Sequence, residues 1–202
     1  MPVTINGNGS ITGLSVGGLG AGVVNTATLA DGAATGVKQG AGSVIQVVQA
    51  TQTSEITTSG TSFVDTGLSG SITPSSNSSK ILVIVTQRFF IERSTDQARG
   101  GFRLLRNTGS GNSVILQGPN TNNGQEPGGE GFSSGNGPSA IQVAGAFNCS
   151  FLDSPSTTNT TTYKTQFANN QSSASPTIYV NSLNNNSGED GVSTITLMEI
   201  KQ

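Results

Sequence analysis

The stretch Lys80–Arg93, KILVIVTQRFFIER, constrains the fold most, because no other segment carries as much apolar side chain. Its aliphatic run Ile81–Val85 is too short for a transmembrane helix and has the length of a β-strand buried on both faces. From Thr86 the pattern loosens, with polar residues before the aromatic pair Phe89 and Phe90. We therefore expect a β-sheet core to form on this stretch.

The composition favours a β-rich chain over a disordered one. Charged residues make up 10% of the 202 residues, well below the ~25% typical of soluble domains, and the net charge is −2. A disordered chain usually combines low hydrophobicity with a high net charge. The abundance of Thr, Val, Ile, Ser and Gly instead predicts strands and turns with neutral polar outer faces.

Strand patterns follow one another from Ser43 to the C-terminus, and no segment is convincingly helical. Roughly eight to ten short strands at ~8–12-residue spacing predict an all-β fold, an antiparallel β-sandwich or jelly roll. In Thr160–Ala168 the alternation places Tyr163 and Phe167 on one face and Lys164 and Gln166 on the other. The candidate stretches from which these strands come are Val44–Ala50, Gln52–Thr58, Thr61–Thr66, Leu68–Thr73, the run Ile81–Val85 within Lys80–Arg93, Gly101–Arg106, Ser113–Gln117, Ile141–Leu152, Thr160–Ala168, Thr177–Ser182 and Val192–Ile200.

Residues 1–42 differ from the rest of the chain. Only Asp31 and Lys38 are charged, eleven positions are Gly, and aliphatic residues are scattered among them. This segment is too rich in glycine to bury its aliphatic side chains against itself, and too apolar for a plain flexible linker. We therefore expect it to be sheltered by other copies of the chain or by a larger assembly. The alternative is a tail laid along the surface of its own domain.

The sequence excludes several kinds of site. There is no histidine, so Ser-His-Asp and Cys-His arrangements and histidine-based metal sites are impossible. The single cysteine, Cys149, cannot close an intrachain disulfide or build a thiolate metal cluster. We expect no enzymatic activity, no catalytic residue, no cofactor and no metal.

Nucleic acid and membranes are not expected as partners. The chain has nine basic residues against eleven acidic ones, which gives no phosphate-binding footprint. The N-terminus lacks a signal-peptide pattern and no apolar run reaches ~18 residues, so we expect neither standard export nor membrane insertion. Five arginines cluster in sequence, and we expect them to be paired or solvated: Arg88, Arg93, Arg99, Arg103 and Arg106.

The span 118–139, GPNTNNGQEPGGEGFSSGNGPS, is the candidate binding segment. It is longer than the ~12–15 residues usual for a connection without structure, so we expect an ordered functional loop. Neutral polar loops with an occasional aromatic suit carbohydrate, because their polar groups exchange hydrogen bonds with water for ones with sugar hydroxyls. The candidate receptor contacts are Asn122, Asn123, Glu126, Glu130 and Phe132. Alternatively, Phe132 packs as an anchor against a neighbouring subunit.

Four parts of the chain carry a resemblance to a known type of protein. They are 5–14 (INGNGSITGL), 42–48 (GSVIQVV), 63–85 (FVDTGLSGSITPSSNSSKILVIV) and the C-terminal pieces 151–155, 162–164 and 193–200. Together they resemble the small trimeric fibre and receptor-binding proteins of tailed bacteriophages, of the marine and cyanobacterial phage type. The likeness carries over no receptor-contact residues.

The resemblance implies a homotrimer in a virion assembled in the host cytoplasm. Residues 1–42 would attach it to other virion proteins of the tail, neck or capsid. Residues 43–202 would form a distal β-sandwich head that binds a carbohydrate of the host-cell surface. The alternatives are a capsid or neck decoration with a purely structural role, and a glycan depolymerase.

Overall fold

The structure is a computed structural model that describes residues 4–5, 11–12, 39–93, 99–117, 130–133, 141–169, 177–182 and 191–202. For residues 4–5, 11–12, 93, 130–133 and 141 only the backbone is described. The chain divides into two compact units, Met1–Gln39 and Gly40–Gln202.

Strands make up all the regular structure of the described residues, which confirms the predicted all-β fold. They are β1 (Thr4–Ile5), β2 (Ile11–Thr12), β3 (Val44–Gln52), β4 (Ile56–Thr58), β5 (Val64–Ile72), β6 (Lys80–Arg93), β7 (Arg99–Asn107), β8 (Asn112–Leu116), β9 (Glu130–Ser133), β10 (Ile141–Asp153), β11 (Thr161–Asn169), β12 (Thr177–Val180) and β13 (Ser193–Ile200).

The first unit contains β1 and β2, which pair antiparallel with Thr4 opposite Thr12 and Ile5 opposite Ile11. The other residues of the predicted attachment segment, up to Lys38, lie outside the described part of the chain.

The second unit is built from two antiparallel sheets. Sheet I contains β3, β4, β6, β10, β12 and β13, and sheet II contains β5, β7, β8, β9 and β11. The long strand β6 organises sheet I: β10 pairs with it from Ile81 to Arg93, while β13 and β12 share its other side. Sheet II runs β5-β11-β7-β8, and β9 also pairs with β7. The strand predicted at Ile81–Val85 is therefore present, and it extends over the whole stretch Lys80–Arg93.

The core lies between the two sheets. Sheet I contributes alternate residues of β6, and sheet II contributes Phe102, Tyr163 and Phe167, all fully buried. The ring of Phe102 stacks on that of Phe147, with centroids 5.0 Å apart, and on that of Phe167, at 6.0 Å. The predicted alternation of β11 is confirmed, because Tyr163 and Phe167 face inward. Aromatic contacts of this kind contribute to packing beyond the buried area alone.

The expectation that Ile81–Val85 is buried on both faces is wrong. Ile81, Val83 and Val85 are buried in the core, whereas Leu82 and Ile84 on the other face are only half-buried. The reason is that this unit has two layers, and the outer face of sheet I is not covered by another layer among the described residues.

Three parts of the chain fold differently from the prediction. The span Gln52–Thr58 is interrupted because the Gln52 side-chain oxygen accepts hydrogen bonds from the backbone N–H groups of Thr53 and Ser54, at 2.9 and 3.2 Å. The predicted strands Thr61–Thr66 and Leu68–Thr73 form one strand, β5. Part of the predicted loop 118–139 is the strand β9, with Phe132 opposite Gly100 of β7.

A chain of buried hydrogen bonds crosses the core at Gln87, in the middle of β6. Its amide nitrogen donates to Ser193 Oγ at 2.7 Å and to Asn181 Oδ1 at 3.2 Å. Ser193 is in β13 of sheet I, and Asn181 directly follows β12 of the same sheet. Its amide oxygen accepts from Thr165 Oγ1 of sheet II at 2.9 Å. The Thr165 hydroxyl lies 2.6 Å from that of Thr66 on the neighbouring strand. All five side chains are fully buried, and we call them the Gln87 network.

Replacing Gln87 by Ala should lower the free energy of unfolding by about 3 kcal/mol, because it leaves a cavity and unpaired buried partners. Equilibrium urea unfolding at neutral pH measures the loss. Gln49→Ala is the matched control, since Gln49 lies in the same sheet but is exposed, and it should change the free energy by less than ~0.5 kcal/mol. Equal losses in the two variants would contradict the role given to the network.

Candidate functional site

The outer face of sheet II brings together charged and polar side chains from neighbouring strands. Lys164 Nζ lies 2.9 Å from Asp65 Oδ2, and Gln166 Nε2 donates to Asp65 Oδ1 at 2.5 Å. Arg103 donates to Gln166 Oε1 from Nε at 2.8 Å and from Nη2 at 2.6 Å. The Arg103 guanidinium lies 4.0 Å from the centroid of the Phe63 ring. We call these five residues the polar cluster.

The inward residues of β5 and β11 explain why the polar cluster faces outward. Thr66 and Thr165 are held in the core by the Gln87 network. Neighbouring residues of a strand point to opposite faces, so Asp65, Lys164 and Gln166 must lie on the outer face.

A bulge in β5 opens a hollow beside the polar cluster. The pairing with β11 steps from Ser69–Lys164 to Asp65–Gln166, and Gly67 within the bulge has φ of 79°. This left-handed φ favours glycine, and a Cβ at Gly67 would also meet the side chains of Gln52 and Ile56. The hollow has a volume of about 70 Å³, enough for about two water molecules. It is lined by Asp65, Gly67, Leu68, Ser69, Lys164 and Thr165.

The same face continues as a ladder of hydroxyl groups. Ser71 Oγ and Thr162 Oγ1 are 2.8 Å apart, and Thr73 Oγ1 and Thr160 Oγ1 are 2.9 Å apart. The outer face of sheet II therefore offers charged groups at one end and neutral donors and acceptors along the rest.

The electrostatics of the polar cluster keep Asp65 ionised. Partial burial raises the pKa of Asp65, but the hydrogen bonds from Lys164 and Gln166 and the charges of Lys164 and Arg103 together lower it below its usual value. Partial burial lowers the pKa of Arg103 by more than the charge of Asp65 raises it. An arginine remains charged at neutral pH in spite of such a shift. The cluster thus presents a fixed acceptor beside fixed cationic donors.

The polar cluster does not resemble a catalytic site. Asp65 is its only carboxylate, whereas glycoside hydrolysis needs two. Across the described ranges, no group of three or more His, Cys, Asp or Glu side chains is placed to hold a metal ion. What the arrangement can do is exchange hydrogen bonds with a polar ligand.

A second charged group is partly buried and links the two sheets. Arg106 Nη1 lies 2.9 and 3.0 Å from the two carboxylate oxygens of Asp153, and the Tyr163 hydroxyl donates to Asp153 Oδ2 at 2.7 Å. Burial and the hydrogen bond to Asp153 raise the pKa of Tyr163 above its usual range. Tyr163 is fully buried, so we assign this group to the stability of the sandwich rather than to binding. Arg106 pairs with Asp153, and Arg103 pairs with Gln166. This confirms that two of the five clustered arginines are paired.

Two of the five predicted receptor contacts lie in the described part of the chain. Asn122, Asn123 and Glu126 lie outside the described residues. Glu130 and Phe132 lie on β9 at the edge of sheet II, where the sequence indicated a loop. The polar cluster was missed because its members come from three strands, and only the strand pairing shows that they meet.

Comparisons with known proteins do not assign the chain to a family. No family model matches it, and no curated protein matches it. Among solved structures, that of infectious bursal disease virus Gt strain aligns over 79% of this chain and 39% of the viral one, with 11% identity and a TM-score of 0.37. That of the Gx strain aligns over 78% of this chain and 37% of the viral one, with 11% identity and a TM-score of 0.34. The chain spans well under half the length of either protein.

A search for membrane-spanning helices among the described residues found none of sufficient length and apolar character.

Asp65→Asn should lower the free energy of unfolding at pH 7 by less than ~1 kcal/mol, because the carboxylate is half-exposed. The lowered pKa of Asp65 means that its contribution is present above the unfolded pKa of about 3.9 and is lost as the pH falls through the folded value. Urea unfolding should therefore show a larger difference from wild type at pH 7 than at pH 2.5. Glu55→Gln, at an exposed carboxylate between β3 and β4, is the control. A difference as large at pH 2.5 as at pH 7 would contradict the assignment.

Proposed function

We propose that this chain is a non-enzymatic structural protein of a tailed-bacteriophage virion, a homotrimeric fibre or spike. Residues 1–42 dock it to other virion proteins, and the head, residues 43–202, binds a glycan of the host-cell surface. The resemblance of four sequence stretches to such fibre proteins supports the proposal that the chain is part of a virion and forms a trimer. The two-layer β-sandwich is compatible with a compact, projecting head.

The observation that carries glycan binding is the polar cluster on the outer face of sheet II. Its side chains stand on paired strands and are held by one another, so little conformational entropy is lost when a ligand binds. Asp65 accepts from a sugar hydroxyl, and Lys164 donates to one. The ring of Phe63, half-buried beside Arg103, adds apolar surface at the same place. The proposed contact surface therefore lies on strands β5, β7 and β11 instead of the predicted loop 118–139.

Shallow polar sites bind single sugars weakly. Three heads in one fibre, and several fibres on one particle, raise the overall affinity through effective concentration. Assembly and adhesion are therefore linked in this proposal, because one head alone would not hold a particle on a cell.

The second candidate function is a purely structural decoration of the capsid or neck. Apolar side chains on the outer face of sheet I favour it, since Val47 and Leu152 there are 58% and 51% exposed and suit protein contacts. Under this alternative the polar cluster binds no glycan.

Lys164→Ala should weaken glycan binding at least tenfold, because one charge-assisted hydrogen bond contributes about 1.5–3 kcal/mol. The measurement is binding of the full-length chain to an array of bacterial surface polysaccharides, followed by titration with a soluble oligosaccharide of the best ligand. Lys80→Ala, at a lysine of sheet I, is the matched control and should bind as wild type does.

Any one of three results would contradict the proposal. These are that the chain binds no polysaccharide on the array, that Lys164→Ala and Lys80→Ala weaken binding equally, and that the bound polysaccharide is cut to fragments with new reducing ends. The first result favours the structural decoration and the third a depolymerase.

A further inference from the structure

We infer that the glycan bound by the polar cluster is acidic, and that its anionic group lies between Lys164 and Arg103. This group is a carboxylate, sulfate or phosphate on a sugar, because all three present charged oxygen acceptors. The inference rests on the proposed glycan binding and adds the chemical class of the ligand. Three features of the site point to this class: spare hydrogen-bond donors, an excess of positive charge and the spacing of the two cations.

The polar cluster has more spare donors than spare acceptors. An arginine carries five N–H groups and a lysine carries three. Arg103 donates from Nε and Nη2 to the amide oxygen of Gln166, and Lys164 donates to Asp65. Asp65 already accepts on both oxygens, from Lys164 and from Gln166. The described contacts therefore leave N–H groups of both cations available to a ligand, and a ligand rich in acceptors fits them best.

The residues of the polar cluster do not neutralise its positive charge. Arg103 hydrogen-bonds a neutral amide, so Asp65 is a single negative charge facing two cations. The surrounding strands have the same sign of charge. In β5, β7, β8 and β11 Asp65 is the one acidic residue, and the basic residues are Arg99, Arg103, Arg106 and Lys164. These strands are therefore positive within a chain whose net charge is −2, which favours a negatively charged ligand.

The strand pairing gives the two cations a spacing that suits one anionic group. Lys164 is opposite Leu105 of β7 and Gln166 is opposite Arg103, so Lys164 and Arg103 are diagonal neighbours on one face. Diagonal neighbours are about 7–8 Å apart at Cα, within reach of long side chains. An anion between them contacts the ammonium on one side and the guanidinium on the other. The planar fork of arginine also matches two oxygens of one such group.

Apolar side chains lie beside this position. Leu105 is adjacent to Lys164 across the strands and two residues from Arg103 along β7, and it is only 3% exposed. Val114 of β8 is opposite Leu105 and is 46% exposed. Apolar surroundings strengthen the attraction between opposite charges, because they exclude water. Val114 in addition offers a contact for the C–H groups of a sugar ring.

The ligand itself provides the first test, on the full-length wild-type chain. Acidic polysaccharides are printed on an array, each beside its neutralised form: carboxyl-reduced for uronates, desulfated for sulfates and dephosphorylated for phosphates. We expect binding to an acidic form and at least tenfold weaker binding to its neutralised form, because a charge-assisted hydrogen bond is lost. The pair that responds identifies which anionic group is bound. Raising the NaCl concentration from about 0.05 to about 0.5 M should weaken the same binding.

Arg103→Gln tests the position of the anion. This variant should bind the acidic form at least tenfold more weakly than wild type does. Arg88→Gln, at an exposed arginine of sheet I, is the matched control and should bind as wild type does. Circular dichroism melts check that both variants fold, and Lys164→Gln replaces Arg103→Gln if the latter does not. Equal affinities of the two arginine variants for the acidic form would overturn the inference.

Failure of the inference can be told from failure of the proposed function. Equal binding of the acidic and neutralised forms, or binding of neutral glycans alone, refutes the acidic ligand and leaves glycan binding intact. An array on which no polysaccharide binds, the acidic ones included, refutes glycan binding and the acidic ligand together.

Discussion

The Gln87 network is the interaction on which the rest of the sandwich depends. Apolar packing is non-directional, so by itself it allows two sheets to pack in several registers. Buried amides and hydroxyls are costly unless paired with the right geometry, so they select one arrangement. Gln87 meets Thr165 of the other sheet at 2.9 Å, and this fixes which residues of β6 and β11 point into the core.

The network also determines what each outer face presents. With Thr66 and Thr165 inside, Asp65, Lys164 and Gln166 must point out of sheet II. With Gln87 inside, the even-numbered residues of β6 point out of sheet I, which leaves Leu82 half-exposed. The outer face of sheet II thus offers ordered polar groups, and that of sheet I the exposed apolar side chains of Val47 and Leu152. The two outer faces therefore differ in chemistry, and the proposed glycan site lies on the polar one.

The sequence predicted a strand at Ile81–Val85 and a sheet core on the stretch Lys80–Arg93, because a long apolar run has few other structures open to it. It also predicted which face of β11 is buried, since alternation within one strand is a local property. The polar cluster could not be predicted, because Asp65 and Lys164 are 99 residues apart and meet only through strand pairing. The bulge at Gly67 is equally hidden, since a glycine within a strand pattern fits several backbone roles. The exposure of Leu82 was missed because an unbroken aliphatic run does not show how many layers the fold has.

A cryo-electron microscopy map of the assembled full-length chain tests the central claim most directly, because it shows both faces at once. The account predicts that several copies associate and that the polar cluster of each copy lies on the solvent side. A map with the polar cluster buried between copies would contradict it.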